Sequence, residues 1–439
     1  MVNKRVFVSV LLALVALAQS NTVLADPTPS IEGMVVDVNK PGGRDLPLAL
    51  PMTKGSDPIT QEFWGIVKRD LEISGYFRIL DTAAYIEPAT AGIQPGQFKF
   101  TDWDVPGATA LAKTILSEQD GSYTAEVWVY DVPGRRKLGA KRLNANKAQI
   151  RLLAHWLSNE VLRYVTGEPG IFNTRFACVY KGSKNKEIAL VDIDGAQLRP
   201  ITRNGSINLQ PAWSHDGKKV AYTSYRTGNP DLFVFDLVNG RSTRRSARPG
   251  INVGATFGPQ DQDLALTLSS GGNADIWFIN PLTGQKTSRL TKAPGIDVSP
   301  SFSPDGKQVA FASERSGGVQ IYVMPAEGGA AKRVTFQGNH NTDPAWSPKG
   351  DRIAFVSRDG TFDVFTTRPD GSGTIRITQH QGDNEDPTWS PDGRYLAYSS
   401  NRTGTPQIWI STADGTHQVQ ITDGPGAFTN PAWSPVLDW

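Results

Sequence analysis

The chain has 439 residues, with 45 lysines and arginines against 43 aspartates and glutamates, and a single cysteine. This length suits two or three domains. A charge so close to balance argues against a protein that holds nucleic acid by bulk attraction to phosphates. The lone thiol of Cys178 cannot form an internal disulfide, so we expect it to be buried and structural.

The first 25 residues have the layout of a secretory signal peptide. Lys4 and Arg5 precede an apolar run from Val6 to Ala18 that is too short to span a bilayer, and small residues follow up to Ala25. We expect cleavage after Ala25, with cleavage after Ala18 as the alternative. The remaining chain would carry 43 basic and 43 acidic residues. It contains no stretch apolar enough to cross a membrane, so we expect a soluble protein in an exported compartment.

Residues 26–168 contain no repeat and predict a small α/β domain. A helix is expected to start at Asp57-Pro58 and to end before Gly75. The alternating segment from 122 to 143 predicts a β-hairpin that turns at Pro133-Gly134. Helical spacing predicts a second helix that carries Ile150, Leu153, Leu157, Val161 and Val165. The connection to the next domain is expected at residues 166–174.

A unit of 43 to 45 residues recurs through the second half of the chain. The copies align at Pro211, Ala255, Pro300, Pro344, Pro387 and Pro431, with an aromatic residue two positions after each. Each full copy has four short segments of strand character, and in three copies an Asp-Gly pair marks the turn after the first segment. Four antiparallel strands at this period are typical of a β-propeller blade.

The two ends of the repeated region predict how the ring closes. Residues 175–203 supply the last three strands of a unit, and the C-terminal "NPAWSP" supplies a first strand with nothing after it. Joined, they complete a sixth blade. The predicted fold is therefore an α/β N-terminal domain, residues 26–168, followed by an all-β six-bladed β-propeller, residues 169–439, closed by strands from both ends of the domain. We expect the Trp, Pro and Gly residues of the repeat to be scaffold.

Residue patterns that signal enzyme chemistry are missing from the sequence. The five histidines lie far apart, without the spacing of metal ligands. There is no Gly-x-Ser-x-Gly motif, no glycine-rich phosphate loop, and "VDIDG" at 191 lacks the other ligands of a calcium loop. We therefore expect no enzyme activity, no cofactor and no metal. The alternatives are a propeller associated with peptidase or glycan-active function, and a propeller that binds calcium or a small ligand in its channel.

Antiparallel strand order places the loop that enters each blade and the loop after its second strand on the same face of the ring. These loops are polar. Acidic residues such as Asp343, Glu385 and Asp386 are expected to face basic ones, giving a mixed-charge mouth suited to a folded partner or a peptide. The basic residues follow the second strands and are Arg226, Arg315, Arg358 and Arg402. The alternative is that these charges only solvate the rim, with the arginines paired to neighbouring acids.

An export signal and a small α/β domain precede a six-bladed ring of "PAWSPDG"-type hairpins that ends in "NPAWSP". In this order the chain resembles the TolB family, whose members are the periplasmic component of the Tol-Pal envelope system of Gram-negative bacteria. The resemblance covers essentially the whole chain. The hairpin motif alone occurs in many propellers, whereas the domain order and the closure of one blade are more specific. The resemblance implies a monomeric, non-enzymatic periplasmic scaffold, without membrane insertion, that supports outer-membrane integrity and envelope constriction during cell division.

The resemblance also implies two partners, the lipoprotein Pal and the protein TolA. Pal would bind the loops that enter the blades, through Gln210, His340, Asn341, Thr342, Asp343, Glu385, Asp386, Thr429 and Asn430. The apolar "NVGATF" of the second full repeat departs from the polar character of these loops. TolA would bind the mature N-terminal segment, through Asp26, Ile31, Val35, Val36 and Val38. Because that segment begins with Asp-Pro-Thr-Pro, the contact is expected to start at about Ile31; from the residues alone, a frayed terminus and a first strand remain the alternative.

Overall fold

A five-stranded sheet with two long helices packed against it forms the first part of the fold. The structure is a computed structural model that describes residues 45–55, 58–182 and 184–437. Its elements here are β1 (Leu46–Ala49), α1 (Pro58–Ile73), β2 (Phe77–Ile79), α2 (Thr101–Asp104), β3 (Ala110–Gln119), β4 (Ser122–Asp131), β5 (Arg136–Asn146) and α3 (Ile150–Thr166). The strand order is β2-β1-β3-β4-β5. Strand β1 runs parallel to β2 and β3, and the other pairs are antiparallel.

These elements confirm the helices and the hairpin predicted from the sequence. Helix α1 ends two residues before Gly75, and β4 and β5 flank the Pro133-Gly134 turn. Helix α3 buries all five of the residues whose spacing predicted it. Asp57, the predicted signal peptide and the segment before residue 45 lie outside the described residues.

Six four-stranded antiparallel sheets follow. Blade one comprises β9 to β12 (Asn208–Trp213, Lys219–Ser224, Asp231–Asp236, Arg241–Ser246). Blade two comprises β13 to β16 (Asn252–Phe257, Leu264–Leu268, Asp275–Ile279, Lys286–Arg289), and blade three comprises β17 to β20 (Asp297–Phe302, Gln308–Ser313, Gln320–Pro325, Lys332–Arg333). Blade four comprises β21 to β24 (Asn341–Trp346, Ile353–Asp359, Thr361–Thr367, Ile375–Arg376), and blade five comprises β25 to β28 (Asn384–Trp389, Tyr395–Ser400, Gln407–Thr412, Gln418–Gln420).

Blade six joins the two ends of the propeller. Its first strand is β29 (Ala427–Trp433), and its other strands are β6 (Arg175–Lys181), β7 (Lys186–Asp192) and β8 (Arg199–Pro200). Strand β29 pairs antiparallel with β6, which places Trp433 opposite Phe176. The predicted six-bladed propeller, closed by strands from both ends, is therefore confirmed.

The first strand of each blade contacts the first strand of the next blade, and together the six first strands surround a central channel. A cavity of about 480 Å³ lies between their C-terminal ends. The indole Nε1 of Trp389 donates a hydrogen bond to the Ala345 carbonyl of the preceding blade (2.9 Å), and that of Trp213 donates to Ala432 (3.1 Å). These two tryptophans thus tie neighbouring blades together, whereas Trp346 donates to the Gly350 carbonyl of its own blade (3.3 Å) and Trp433 donates to Thr174 Oγ1 (2.9 Å).

The propeller has two distinct faces. The entry face carries the loops that enter the blades and the loops after the second strands. The turn face carries the hairpin turns between strands one and two and between strands three and four of each blade. The N-terminal domain packs on the turn face of blades five and six, where the Tyr395 hydroxyl donates to the Ser74 carbonyl (2.9 Å) and Arg151 pairs with Asp194 (2.6 Å).

Cys178 is fully buried in β6, as predicted, and burial raises the pKa of its thiol. None of the helices in the described part of the chain is long and apolar enough to cross a membrane.

Candidate protein-binding face

One residue in the first strand of every blade has a left-handed backbone conformation. These residues, which we call the bulge ring, have φ values between 48° and 62° and are Gln210, Gly254, Ser299, Asp343, Asp386 and Asn430. Each lies where the pairing with the second strand shifts register, as in a β-bulge. A left-handed conformation costs a residue other than glycine roughly 1–2 kcal/mol, and Asn and Asp tolerate it best. In five of the six blades the bulges therefore place strained, polar residues around the channel at the entry face, and in blade two the residue is Gly254.

Hydrogen bonds join neighbours within the bulge ring. The Gly254 amide donates to Gln210 Oε1 (3.1 Å), and the Ser299 hydroxyl donates to Asp343 Oδ1 (3.2 Å). Asp386 accepts two bonds from Asn430, from the backbone amide to Oδ2 (3.1 Å) and from the side-chain amide to Oδ1 (2.6 Å). These bonds fix the orientation of the polar groups, so the ring is preorganised for contact with a partner.

Three carboxyl groups of the site lie close enough to affect one another. Burial raises the pKa of Asp386 to about 7, with the charges of Asp343 and Glu385 adding to the effect. Burial also raises the pKa of Asp343. Glu385 is exposed at the mouth, yet the surrounding loops shield part of its carboxyl from water, and this shielding, with Asp383 and Asp343, raises its pKa. The channel mouth therefore carries less negative charge near neutral pH than its sequence suggests.

The remaining polar residues of the entry loops lie just before the bulge ring. Thr342, His340 and Thr429 are half-buried and Glu385 is exposed. The His340 ring meets the Phe362 ring edge-on, at 5.8 Å between centroids. These four residues surround the ring with a surface that a partner can reach.

Asn341 has a different environment from the residues beside it. Its side chain is 1% exposed and its Nδ2 donates to Gln320 Oε1 (3.0 Å) and to the Gln337 carbonyl (2.9 Å). Buried asparagines start the first strands of three other blades, at Asn208, Asn252 and Asn384. Asn341 therefore holds its loop in place, and its side chain is not accessible to a partner.

The four arginines predicted for this face fall into two groups, two that are bonded to neighbouring side chains and two that are exposed. Arg315 forms an ion pair with Asp297 through two bonds of 2.9 and 3.1 Å, and Arg402 donates to Asn384 Oδ1 (2.9 Å) and Gln418 Oε1 (2.6 Å). Both are bonded within their own blades, but only Arg315 is paired to an acid, as the alternative interpretation of the sequence expected; Arg402 is bonded to amide oxygens.

Arg226 and Arg358, which lie in different blades, are exposed. Their guanidinium groups lie over the rings of Phe233 (3.7 Å) and Phe362 (5.3 Å), and these contacts leave their outer edges in solvent.

Two members of the bulge ring, Ser299 and Gly254, were not predicted from the sequence. The available signal was positional, because Ser299 directly precedes Pro300 and Gly254 precedes the aligned Ala255. The residues predicted for TolA, which are Asp26, Ile31, Val35, Val36 and Val38, lie outside the described residues.

Among the described residues, the side chains that could together hold a metal ion are those of His155, Asp192 and Asp194, whose ligand atoms lie within 4.8 Å of one another. They lie on the turn face, away from the bulge ring. Arg151 already contacts both carboxylates, at 3.4 Å from Asp192 and 2.6 Å from Asp194. A guanidinium therefore holds the position between the two acids.

Comparison with known families agrees with this architecture. A family model described as the TolB beta propeller domain matches residues 162–437, and one described as the TolB amino-terminal domain matches residues 34–138. The chain belongs to the TolB family. The resemblance noted from the sequence is therefore confirmed.

Relatives within the TolB family show how far the similarity reaches. The Tol-Pal system protein TolB of Anaeromyxobacter dehalogenans (strain 2CP-C) is 38% identical over 272 residues, and the matched region spans 61% of each chain. The protein of the same name from Desulfosudis oleivorans is 37% identical over 56% of this chain and 57% of its own length. The crystal structure of TolB from Acinetobacter baumannii matches with a TM-score of 0.81 at 27% identity, over 89% of this chain and 97% of that one.

Proposed function

We propose that this TolB-family chain is a periplasmic, non-enzymatic scaffold of the Tol-Pal system, with residues 26–168 and 169–439 as its two domains. The names of its curated relatives support membership in that system. The signal peptide predicted over residues 1–25 supports export to the periplasm. A scaffold of this kind would support outer-membrane integrity and envelope constriction through its partners.

The entry face is the proposed binding site for the lipoprotein Pal. The bulge ring carries this proposal, because six equivalent positions converge on one channel mouth and hydrogen bonds hold their polar groups in fixed positions. Exposed Glu385, Arg226 and Arg358 surround that mouth with both signs of charge. Charged rims of this kind govern encounter rate and partner choice more than folding stability.

The mature N-terminal segment, residues 26–38, is the proposed binding site for TolA. Its apolar, β-branched part from Ile31 to Val38 suits addition as a strand to a sheet edge of a partner. The two partners would then bind at separate regions of the chain.

Calorimetry tests both assignments with two forms of the protein, one that starts at Asp26 and one that starts at Asn39. Both should bind the soluble domain of Pal with equal affinity, and only the longer form should bind TolA. Loss of Pal binding in both forms would refute the entry-face assignment, and TolA binding by the shorter form would refute the assignment of the segment.

Charge reversals locate the Pal site more closely. Glu385→Lys and Arg358→Glu alter exposed entry-face side chains, and each should weaken Pal binding about 10-fold or more, mostly through slower association. Glu327→Lys and Lys307→Glu make the same changes on exposed residues of the turn face and serve as controls. If the turn-face variants lose as much affinity as the entry-face variants, the site is wrong.

A further inference from the structure

A buried charged cluster lies between the N-terminal domain and the propeller. We call it the interface cluster; it comprises Asp70 of α1, Arg151 and His155 of α3, Arg175 of β6, Asp192 at the end of β7, and Asp194 in the turn that follows. His155 is 5% exposed and Asp70 is fully buried. His155 Nδ1 lies 2.9 Å from Asp70 Oδ2, and both residues belong to the N-terminal domain. Asp192 and Asp194 belong to the propeller.

The second ring nitrogen of His155 is the unusual feature of the interface cluster. Nε2 is buried and has no hydrogen-bond partner among the described residues. Carboxylate oxygens of Asp192 and Asp194 lie within 4.8 Å of the His155 ligand nitrogen. If the ring is neutral and its proton is on Nδ1 toward Asp70, Nε2 is an acceptor close to the carboxylate oxygens of Asp192 and Asp194. A buried acceptor without a donor is unfavourable.

Charge balance indicates what resolves this arrangement. Three carboxylates, those of Asp70, Asp192 and Asp194, face two guanidinium groups. Arg175 lies 2.6 Å from Asp192, and Arg151 bridges Asp192 and Asp194. One further positive charge would balance the cluster. A divalent cation would be repelled by the adjacent Arg151, whereas a proton on Nε2 supplies that charge together with the missing donor.

We propose that His155 is a proton-controlled latch between the two domains. In its doubly protonated form, the imidazolium donates from Nδ1 to Asp70 and presents Nε2–H to the Asp194 side, so that one ring connects α1 and α3 to blade six. Loss of the proton removes the donor toward the propeller and loosens the docking of the N-terminal domain. The latch does not depend on which partners the protein binds.

The electrostatics of the interface cluster agree with its geometry. Burial works against a charged His155, but Asp70 and then Asp194 outweigh it, so the pKa of His155 is raised above its usual value, while Arg151 opposes the shift. A raised pKa means that the stabilising contribution is complete below about pH 6.5 and is lost as the pH rises through the higher folded-state value. Burial also raises the pKa of Asp70, so its own contribution likewise falls with rising pH, but that fall begins at the usual aspartate value of about 4. The pKa of Asp194 is lowered, so its contribution is lost only in acid, outside this window.

Proton NMR of the unaltered protein from pH 5 to pH 9 tests the latch directly. The imidazole signal of His155, assigned by its loss in His155→Gln, should titrate above pH 6.5, and Asp194→Asn should move that midpoint to lower pH. A midpoint at or below 6.5, or one that Asp194→Asn leaves unchanged, would overturn the proposal. This measurement does not require the variants to be as stable as the wild type.

Hydrogen exchange tests whether the proton controls docking. Comparison of wild type with His155→Gln at each pH removes the intrinsic pH dependence of exchange. The α3 and 192–198 amides should be better protected in the wild type at pH 6 and equally protected in both proteins at pH 9, with strand β22 as an internal reference. His380→Gln, which removes an exposed histidine, should match the wild type throughout. Equal protection in wild type and His155→Gln at pH 6 would refute the latch.

Discussion

Replacement of Trp389 by alanine tests whether the repeated tryptophans hold the blades together. The side chain is 7% exposed, packs within the core between blades four and five, and donates from Nε1 to the Ala345 carbonyl of the preceding blade at 2.9 Å. Loss of a buried tryptophan ring costs about 3–5 kcal/mol. Trp389→Phe keeps most of the ring but leaves the Ala345 carbonyl without its donor, and should cost about 1–2 kcal/mol.

Urea unfolding followed by far-ultraviolet circular dichroism measures these losses without relying on tryptophan fluorescence. Trp277→Ala is the matched control, because this tryptophan lies on the third strand of blade two, is only partly buried, and is covered by Lys286 at 3.8 Å. It should cost about 1 kcal/mol, the order expected for an exposed cation–π contact and a partly buried ring. Equal losses for Trp389→Ala and Trp277→Ala would refute the inference that Trp389 holds blades four and five together.

Three further predictions test local features. Gly75→Ala should lower the stability of the fold more than Gly107→Ala, although both glycines have positive φ. The new Cβ at position 75 would lie 2.6 Å from His417 Cδ2, whereas a Cβ at position 107 would have no atom within 4 Å. Equal melting temperatures would contradict this. Gly65→Ala, in an open position of α1, should stabilise by about 0.5–1 kcal/mol, and a loss in thermal melting would count against it. The raised pKa of Asp386, about 7, disfavours the ionised form in the folded state, so stability should fall as the pH rises from about 4 to about 7 and level off above that. Asp386→Asn should flatten that profile, and an unchanged profile would show that another group is responsible.

The repeat and its closure could be predicted because each blade buries the same pattern of side chains. Alternation in the second and third strands and the spacing of α1 and α3 are local signals, and the structure confirms them. Burial of polar residues was harder to predict. Asn341 has the same polar character as Thr342, yet one is buried and bonded to Gln320 while the other is half-buried at the surface. Polarity alone does not distinguish a residue that holds a loop from one that can meet a partner.

The interface cluster lies beyond sequence reasoning for a different reason. Asp70 and His155 are separated by 85 positions, and Asp194 belongs to another domain. In the sequence His155 is one of five scattered histidines without metal-ligand spacing. Its environment arises from the docking of α1 and α3 against blade six, which no periodicity encodes.

The bulge ring shows how backbone strain and residue choice are linked at this site. A residue before proline normally adopts an extended conformation, yet Asp386 and Asn430 precede prolines with φ near 50°. Blade two has neither the proline nor the strain, since Gly254 precedes Ala255 and adopts positive φ without a steric cost. Gly254 supplies no side chain, and Gln210 of blade one reaches across to its amide instead. The "NVGATF" strand, β13, therefore marks a gap in the ring that a neighbouring blade fills, and blade two should contribute least to any partner bound at the entry face.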